Sequence, residues 1–174
     1  MISEFFFQIA ELKKLPRSGW KIKVGLENSE SVAEHSYMMS VMSMVLSDMK
    51  SLDSEKVLKM TILHDWAESK IGDFMPDQIG YDKKSELENY AMTEILESLP
   101  QIIQNDYQNT WNEFLSRDTP ESRLVHELDK LEMALQAKIY EKNVDPEKVK
   151  PFIISAVEQV NDPDLKKILV DILK

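Results

Sequence analysis

Three times in its second half the chain repeats one local signal: Thr119-Pro120-Glu121, Asp145-Pro146-Glu147 and Asp162-Pro163-Asp164. Each offers an oxygen-bearing N-cap side chain, proline at the first helical position and an acid in the first turn. The cap oxygen takes up a free amide, proline sits where its missing N–H is no loss, and the acid meets the positive end of the helix dipole. These starts predict helices over about 120–142, 146–160 and 163–173. Upstream, Ser31-Val32-Ala33-Glu34 is a capping box. It opens a helix of about 31–49, and others follow at about 53–68, 83–99 and 101–116. Ile2, Phe5, Phe6, Ile9 and Leu12 form an apolar stripe that Pro16 closes. All four glycines fall between Gly19 and Gly80, and alternating β-branched runs are scarce. The stretches 16–30 and 69–82 read as loops. The expectation is therefore an all-α helical bundle of about six to eight helices, with residues 1–174 as a single domain.

Charge narrows the partners. With 31 acidic against 21 basic residues, the net charge is −10, which argues against a nucleic-acid partner, since that needs a basic face. A small anionic substrate remains open, because a metal ion and one arginine invert the local field. Cysteine is absent, so neither disulfides nor a thiolate metal site is available. No apolar run reaches the ~20 residues of a membrane span. The start, Met1-Ile2-Ser3-Glu4-Phe5-Phe6-Phe7, lacks the basic and long apolar regions of a secretory signal. A cytoplasmic protein without membrane contact is expected.

Two of the three histidines stand in a pattern with acids. His64-Asp65 lies in Leu63-His64-Asp65-Trp66-Ala67-Glu68, His35 lies upstream, and Asp129 lies downstream between Leu128 and Lys130. Imidazoles and carboxylates carried on helices can converge on one divalent ion, and they suit Mn, Fe, Co, Ni, Zn or Mg. His64, Asp65 and Glu68 are expected on the last turn of the 53–68 helix, with Glu68 on the face of His64. Acids there oppose the helix dipole, so helix stability does not account for them. Plainer readings stand beside these: His64 as a half-buried histidine, Asp65 as a surface acid, His35 as a polar residue in a capped first turn. Asp129 in mid-helix would be costly to bury without a partner, and a metal is one such partner. His126, one turn before it, belongs either behind the site or on the surface. Met38, Met39, Met42, Met44 and Met49 read as core filling, and so does Trp66. The run Asp82-Lys83-Lys84-Ser85-Glu86 reads as a solvated helix start.

The order His35, His64-Asp65, Asp129 on helices resembles the HD-domain metal-dependent phosphohydrolases. Four stretches sharpen the match: Pro16-Arg17-Ser18-Gly19-Trp20, Glu30 to Ser36, His64 to Asp73, and Leu128-Asp129-Lys130-Leu131-Glu132-Met133. Together they resemble the YfbR-like 5′-deoxynucleotidase branch, from about Phe5 to Leu135. The resemblance implies hydrolysis of (deoxy)nucleoside 5′-monophosphates to nucleoside and phosphate. It implies His35, His64, Asp65 and Asp129 as ligands of a divalent metal cation. It also implies Glu68 and Asp73 as catalytic acids, which in some relatives hold a second cation with a carbonyl near Phe74. Arg17 matches the arginine that handles phosphate and Trp20 a substrate contact, although Ser18-Gly19 separates a pair that is adjacent in YfbR. A homodimer is implied too, with the N-terminal stripe as a contact surface.

The chemistry agrees with that assignment. A divalent ion acidifies water and neutralises phosphate oxygens, Glu68 could position or deprotonate that water, and Asp73 could protonate the leaving O5′. Arg17 offers a bidentate fork. Rival readings are another HD phosphodiesterase, a nucleotide polyphosphate hydrolase, or a non-catalytic sensor that binds metal and nucleotide. A polyphosphate would call for several basic groups, whereas the motifs carry chiefly Arg17, with Lys70 and Lys130 nearby. A metal-free helical interaction protein would leave His64, Asp65 and Asp129 unexplained.

Overall fold

The computed structural model describes residues 2–174; Met1, part of the segment read for a secretory signal, lies outside them. Among the described residues ten α-helices run in order: α1 Ile2–Ala10, α2 Val32–Met49, α3 Ser54–Leu63, α4 Glu68–Ile71, α5 Pro76–Ile79, α6 Tyr81–Glu97, α7 Gln101–Ser116, α8 Pro120–Tyr140, α9 Pro146–Gln159 and α10 Pro163–Leu173. Among the described residues there is no strand, only one isolated antiparallel bridge between Pro16 and Ser31. The all-α expectation holds. The count exceeds six to eight because α4 and α5 are single turns of four residues each, too short to carry an apolar period.

Helix starts follow their chemistry. Ser31 accepts from the Glu34 amide while Glu34 reaches back to the Ser31 amide, completing the capping box. Thr119, Asp145 and Asp162 each cap a helix whose first position is proline. Helix α8 runs through the middle and packs on α2, α3, α7, α9 and α10. Its buried face, Leu124, Val125, Leu128, Leu131, Ala134 and Ala137, repeats at intervals of one or three residues. Against it lie Val32, Met39 and Leu46 of α2 and Val57, Met60 and Leu63 of α3. Each fully buried side chain of this size contributes roughly 1.5–3 kcal/mol of transfer free energy.

Two apolar stripes divide between core and surface. Met39 is fully buried, whereas Met44 and Met49 face solvent. In α1, Phe5 is buried and packs edge-on against Trp66, ring centroids 5.1 Å apart, while Phe6 and Phe7 are exposed. A smaller core gathers Trp20, Val24, Ala137 and Val149 beneath Phe152 and Tyr140.

Three local features depart from the sequence reading and shape the site. The 16–30 stretch contains a π-helical turn, Trp20–Val24, closed by Gly25 in a left-handed conformation. Its ends are stitched together, with the Arg17 amide donating to the Glu30 carbonyl at 3.0 Å and the Val32 amide to the Leu15 carbonyl at 2.9 Å. The helix expected over 53–68 ends at Leu63. There the His64 ring takes the Thr61 carbonyl at 2.6 Å, and the following amides pair three residues back, Trp66 to Leu63 and Glu68 to Asp65, both at 3.1 Å. That tightening turns the chain at the point where His64 and Asp65 enter the interior. Gly72 then adopts φ 87° and ψ 165°, a region that side-chain-bearing residues essentially avoid, and delivers Asp73 to the 16–30 loop.

Candidate metal centre and substrate cleft

His35 and His64 reach one point from different elements, the first turn of α2 and the turn after α3. Each ring is oriented through its Nδ1. That of His35 lies 2.6 Å from Glu132 Oε2 and that of His64 lies 2.6 Å from the Thr61 carbonyl, so both Nδ1–H groups donate. In the neutral ring Nε2 is then the atom that carries the lone pair, and both Nε2 atoms are buried without a hydrogen-bond partner. Carboxylates stand around them. His35 Nε2 is 3.3 Å from Asp129 Oδ1 and 3.8 Å from Asp65 Oδ2, and His64 Nε2 is 3.1 Å from Asp65 Oδ2. Ligand atoms of His35, His64 and Asp129 all lie within 4.8 Å of one another. Two buried lone pairs that would otherwise be orphaned, beside two carboxylates, are a donor set suited to a divalent ion with a preference for nitrogen and oxygen ligands.

The electrostatics match. Burial would raise the Asp65 carboxyl, but His64, Arg17 and His35 outweigh it and hold it below the usual carboxylate range. Burial opposes ionisation of Asp129 as well, and Lys130, His35 and Arg17 prevail, so it stays well below that range. For His35, burial and the Arg17 charge favour the neutral ring, yet the Asp129 and Glu132 carboxylates carry its pKa up to about 9. An ion taken up at Nε2 must displace that proton.

Arg17 lies across the pair of acids, Nη1 at 3.4 Å from Asp65 and Nη2 at 3.8 Å from Asp129. Glu68, at the start of α4, is 3 % exposed with Oε2 unpartnered. Burial, then the charges of Asp65 and Asp73, push its carboxyl well above the usual range. Asp73 is fixed by Ser18, whose amide donates to Oδ2 and whose hydroxyl donates to the Asp73 carbonyl, both at 2.6 Å. Arg17, Trp20, Asp65, Glu68, Asp73 and Asp129 all line one cleft of about 900 Å³.

Trp20 is only 2 % exposed. Its indole N–H donates to Glu30 at 2.8 Å, and its ring is packed between Tyr140 and Phe152. It backs the cleft wall more than it forms the wall's surface.

Other side chains at the site escaped the sequence reading. Glu132, 1 % exposed, orients His35; the available signal was its place one turn beyond Asp129 on the same helix face. Lys84 is not part of a solvated helix start. Its ammonium donates to the Phe74 carbonyl at 2.7 Å and lies 3.8 Å from Glu68 Oε1, so a fixed cation already stands where a second metal ion is implied. Lys70 instead pairs with Glu94 at 2.7 Å. His126 stacks on Phe114, centroids 4.2 Å apart, and bonds the Phe114 carbonyl through Nε2 at 2.8 Å. Burial lowers its pKa to about 4, so it is a neutral part of the cleft wall.

The comparisons with known proteins point the same way. The family model described as "HD domain" matches residues 9–169. A 5′-deoxynucleotidase HDDC2 of Dictyostelium discoideum is 40% identical over 147 residues, 80% of this chain and 77% of that protein. The 5′-deoxynucleotidase HDDC2 of Danio rerio is 33% identical over 168 residues, 95% of this chain and 83% of its own. Among solved structures, the PH0347 protein of Pyrococcus horikoshii OT3 superposes with a TM-score of 0.79 at 33% identity, covering 99% of this chain and 96% of its own. With the family model spanning nearly the whole sequence and His35, His64, Asp65 and Asp129 meeting in space, the chain belongs to the HD-domain family.

Proposed function

We propose that this protein is a divalent-metal-dependent phosphohydrolase that removes the 5′-phosphate of (deoxy)nucleoside monophosphates. The observation that carries the reading is the pair of buried, unpartnered imidazole nitrogens facing Asp65 and Asp129, with the Arg17 guanidinium beside them. The 5′-deoxynucleotidase names of the relatives in several phyla supply the substrate class.

In this reading His35, His64, Asp65 and Asp129 hold the cation. When bound, the ion supplies Lewis acidity at the phosphate oxygens and brings water into nucleophilic form near neutral pH. The other steps belong to side chains. Arg17, which keeps its charge beside two carboxylates, turns its fork to the phosphate. Glu68, buried against Asp65, is a stronger base than an ordinary carboxylate, and once the positive charge of the bound ion holds it ionised it would take the proton of the attacking water. Asp73, held by Ser18, faces the cleft, where in its acid form it would donate a proton to the leaving O5′. Lys84 supplies positive charge on the Glu68–Phe74 side, which favours a single cation over a second one at Glu68 and Asp73.

A longer phosphate chain is the second reading. Arg117, Arg123 and Lys130 line the same cleft, more basic groups than the motifs alone indicated. Arg123, however, already donates to the Arg117 and Asp118 carbonyls at 3.2 and 2.9 Å. Phosphate release from deoxy- and ribonucleoside 5′-monophosphates, a 3′,5′-cyclic nucleotide and a nucleoside triphosphate separates the readings. Preference for the 5′-monophosphates is expected; preference for either of the others would replace this assignment.

A homodimer is part of the proposal, with exposed Phe6 and Phe7 of α1 as contacts. Replacing both with serine should lower the mass in solution to that of one chain, and an unchanged mass would count against this interface. Phe5 is unsuitable for the test because it belongs to the core.

A further inference from the structure

A nucleotide anchored by its phosphate at Arg17 must lay its nucleoside against the adjoining wall. Two residues beyond Arg17, Gly19 lies against the Cε1–Cζ edge of the Phe152 ring of α9. A Cβ on Gly19 would come within 3.0 Å of Phe152 Cε1 and 3.4 Å of Cζ, and 3.8 Å from Met75 Sδ. A side chain at position 19 would push that edge of the ring away by a few tenths of an ångström. From behind, Phe152 rests on Trp20, ring centroids 4.2 Å apart and planes inclined by 32°. Trp20 is itself braced edge-on by Tyr140 at 5.3 Å. Phe152 is thus a half-buried aromatic ring, supported on two sides, that lines the cleft next to the phosphate arm.

We propose that Phe152 is the platform on which the nucleobase stacks, positioned by Gly19 and Trp20 beside the turn that carries Arg17. The inference rests on the nucleotide reading given above. It reassigns the aromatic contact with substrate from Trp20, which is covered, to the ring that covers it. Every base has a π-face, so a platform of this kind tolerates any base and sets affinity more than sequence preference.

The test compares two substrates with the same ester: 2′-deoxyadenosine 5′-monophosphate and 2-deoxyribose 5-phosphate, which lacks the base. Their kcat/KM ratio is measured for wild type and for Phe152→Ala, Phe152→Leu and Phe152→Tyr. Wild type should favour the nucleotide. The ratio should fall about 5- to 150-fold in the alanine and leucine variants, through KM, and be retained in tyrosine. A wild-type ratio near one overturns the platform even if no variant folds. So does an unchanged ratio in the leucine variant, because a residue that only packs the wall would slow both substrates alike. Wild-type protein that hydrolyses neither compound refutes the nucleotide reading itself.

Discussion

Glu132 shows most sharply what single residues do here. A carboxylate 1 % exposed inside an apolar helix face is expensive unless something answers its charge, and the His35 Nδ1–H answers it at 2.6 Å. The same bond points Nε2 at Asp129 and Asp65. Glu132→Gln should therefore weaken metal binding by about 10- to 100-fold, read by calorimetric titration of Mn²⁺ into stripped protein. Glu68→Gln should retain metal binding while kcat falls by about 10²- to 10⁴-fold; loss of both together would make Glu68 a ligand instead. Metal affinity should also depend on pH. His35 is held protonated up to about 9, and proton and ion compete for Nε2. Apparent affinity should therefore rise with pH by about tenfold per unit from 7 toward 9, and a flat profile would contradict this placing of the proton.

At the scale of elements, what could be read in advance was what local chemistry dictates. The capping box at Ser31 and the three proline-first starts gave α2, α8, α9 and α10 their first residues, because capping is settled within one turn. The end of α3 could not be read in this way. His64 takes the Thr61 carbonyl and breaks the helix, an outcome that depends on where the ring is drawn. Nor could α4 and α5, whose four residues each hold no period. Lys84 was misread as solvated because only the fold brings it to Phe74 and Glu68. Two predictions belong here. Gly72→Ala forces a side chain into φ 87° and should destabilise by about 1–3 kcal/mol, with activity falling as Asp73 is displaced. Asp162 caps α10 and pairs with Lys50 at 2.8 Å. Burial would raise its carboxyl, but Lys50 and the Leu165 and Asp164 amides pull it below the ordinary value. Its contribution is therefore complete above that ordinary value and is lost as pH falls through the lower one. Asp162→Ala should cost about 0.5–2 kcal/mol near neutral pH and progressively less in acid, which thermal unfolding at several pH values would register.

At the scale of the molecule, the bundle brings α2, the turn after α3 and α8 to one point so that residues spread from 35 to 129 share it. The order of the motif was visible in the sequence, and the convergence was not, since periodicity carries no distances. The bundle and the centre are then thermodynamically linked. An ion that binds only the folded state at 100 times its Kd should add about 2.7 kcal/mol of stability, and a chelator should remove it. The most direct measurement of the central claim is phosphate release from a deoxynucleoside 5′-monophosphate by metal-stripped protein, before and after Mn²⁺, Co²⁺ or Mg²⁺ is returned, with Asp65→Ala alongside. The account requires no release from stripped protein, recovery with at least one ion, and none in the variant. Release that persists without metal, or that no ion restores in protein shown to bind metal, would contradict it.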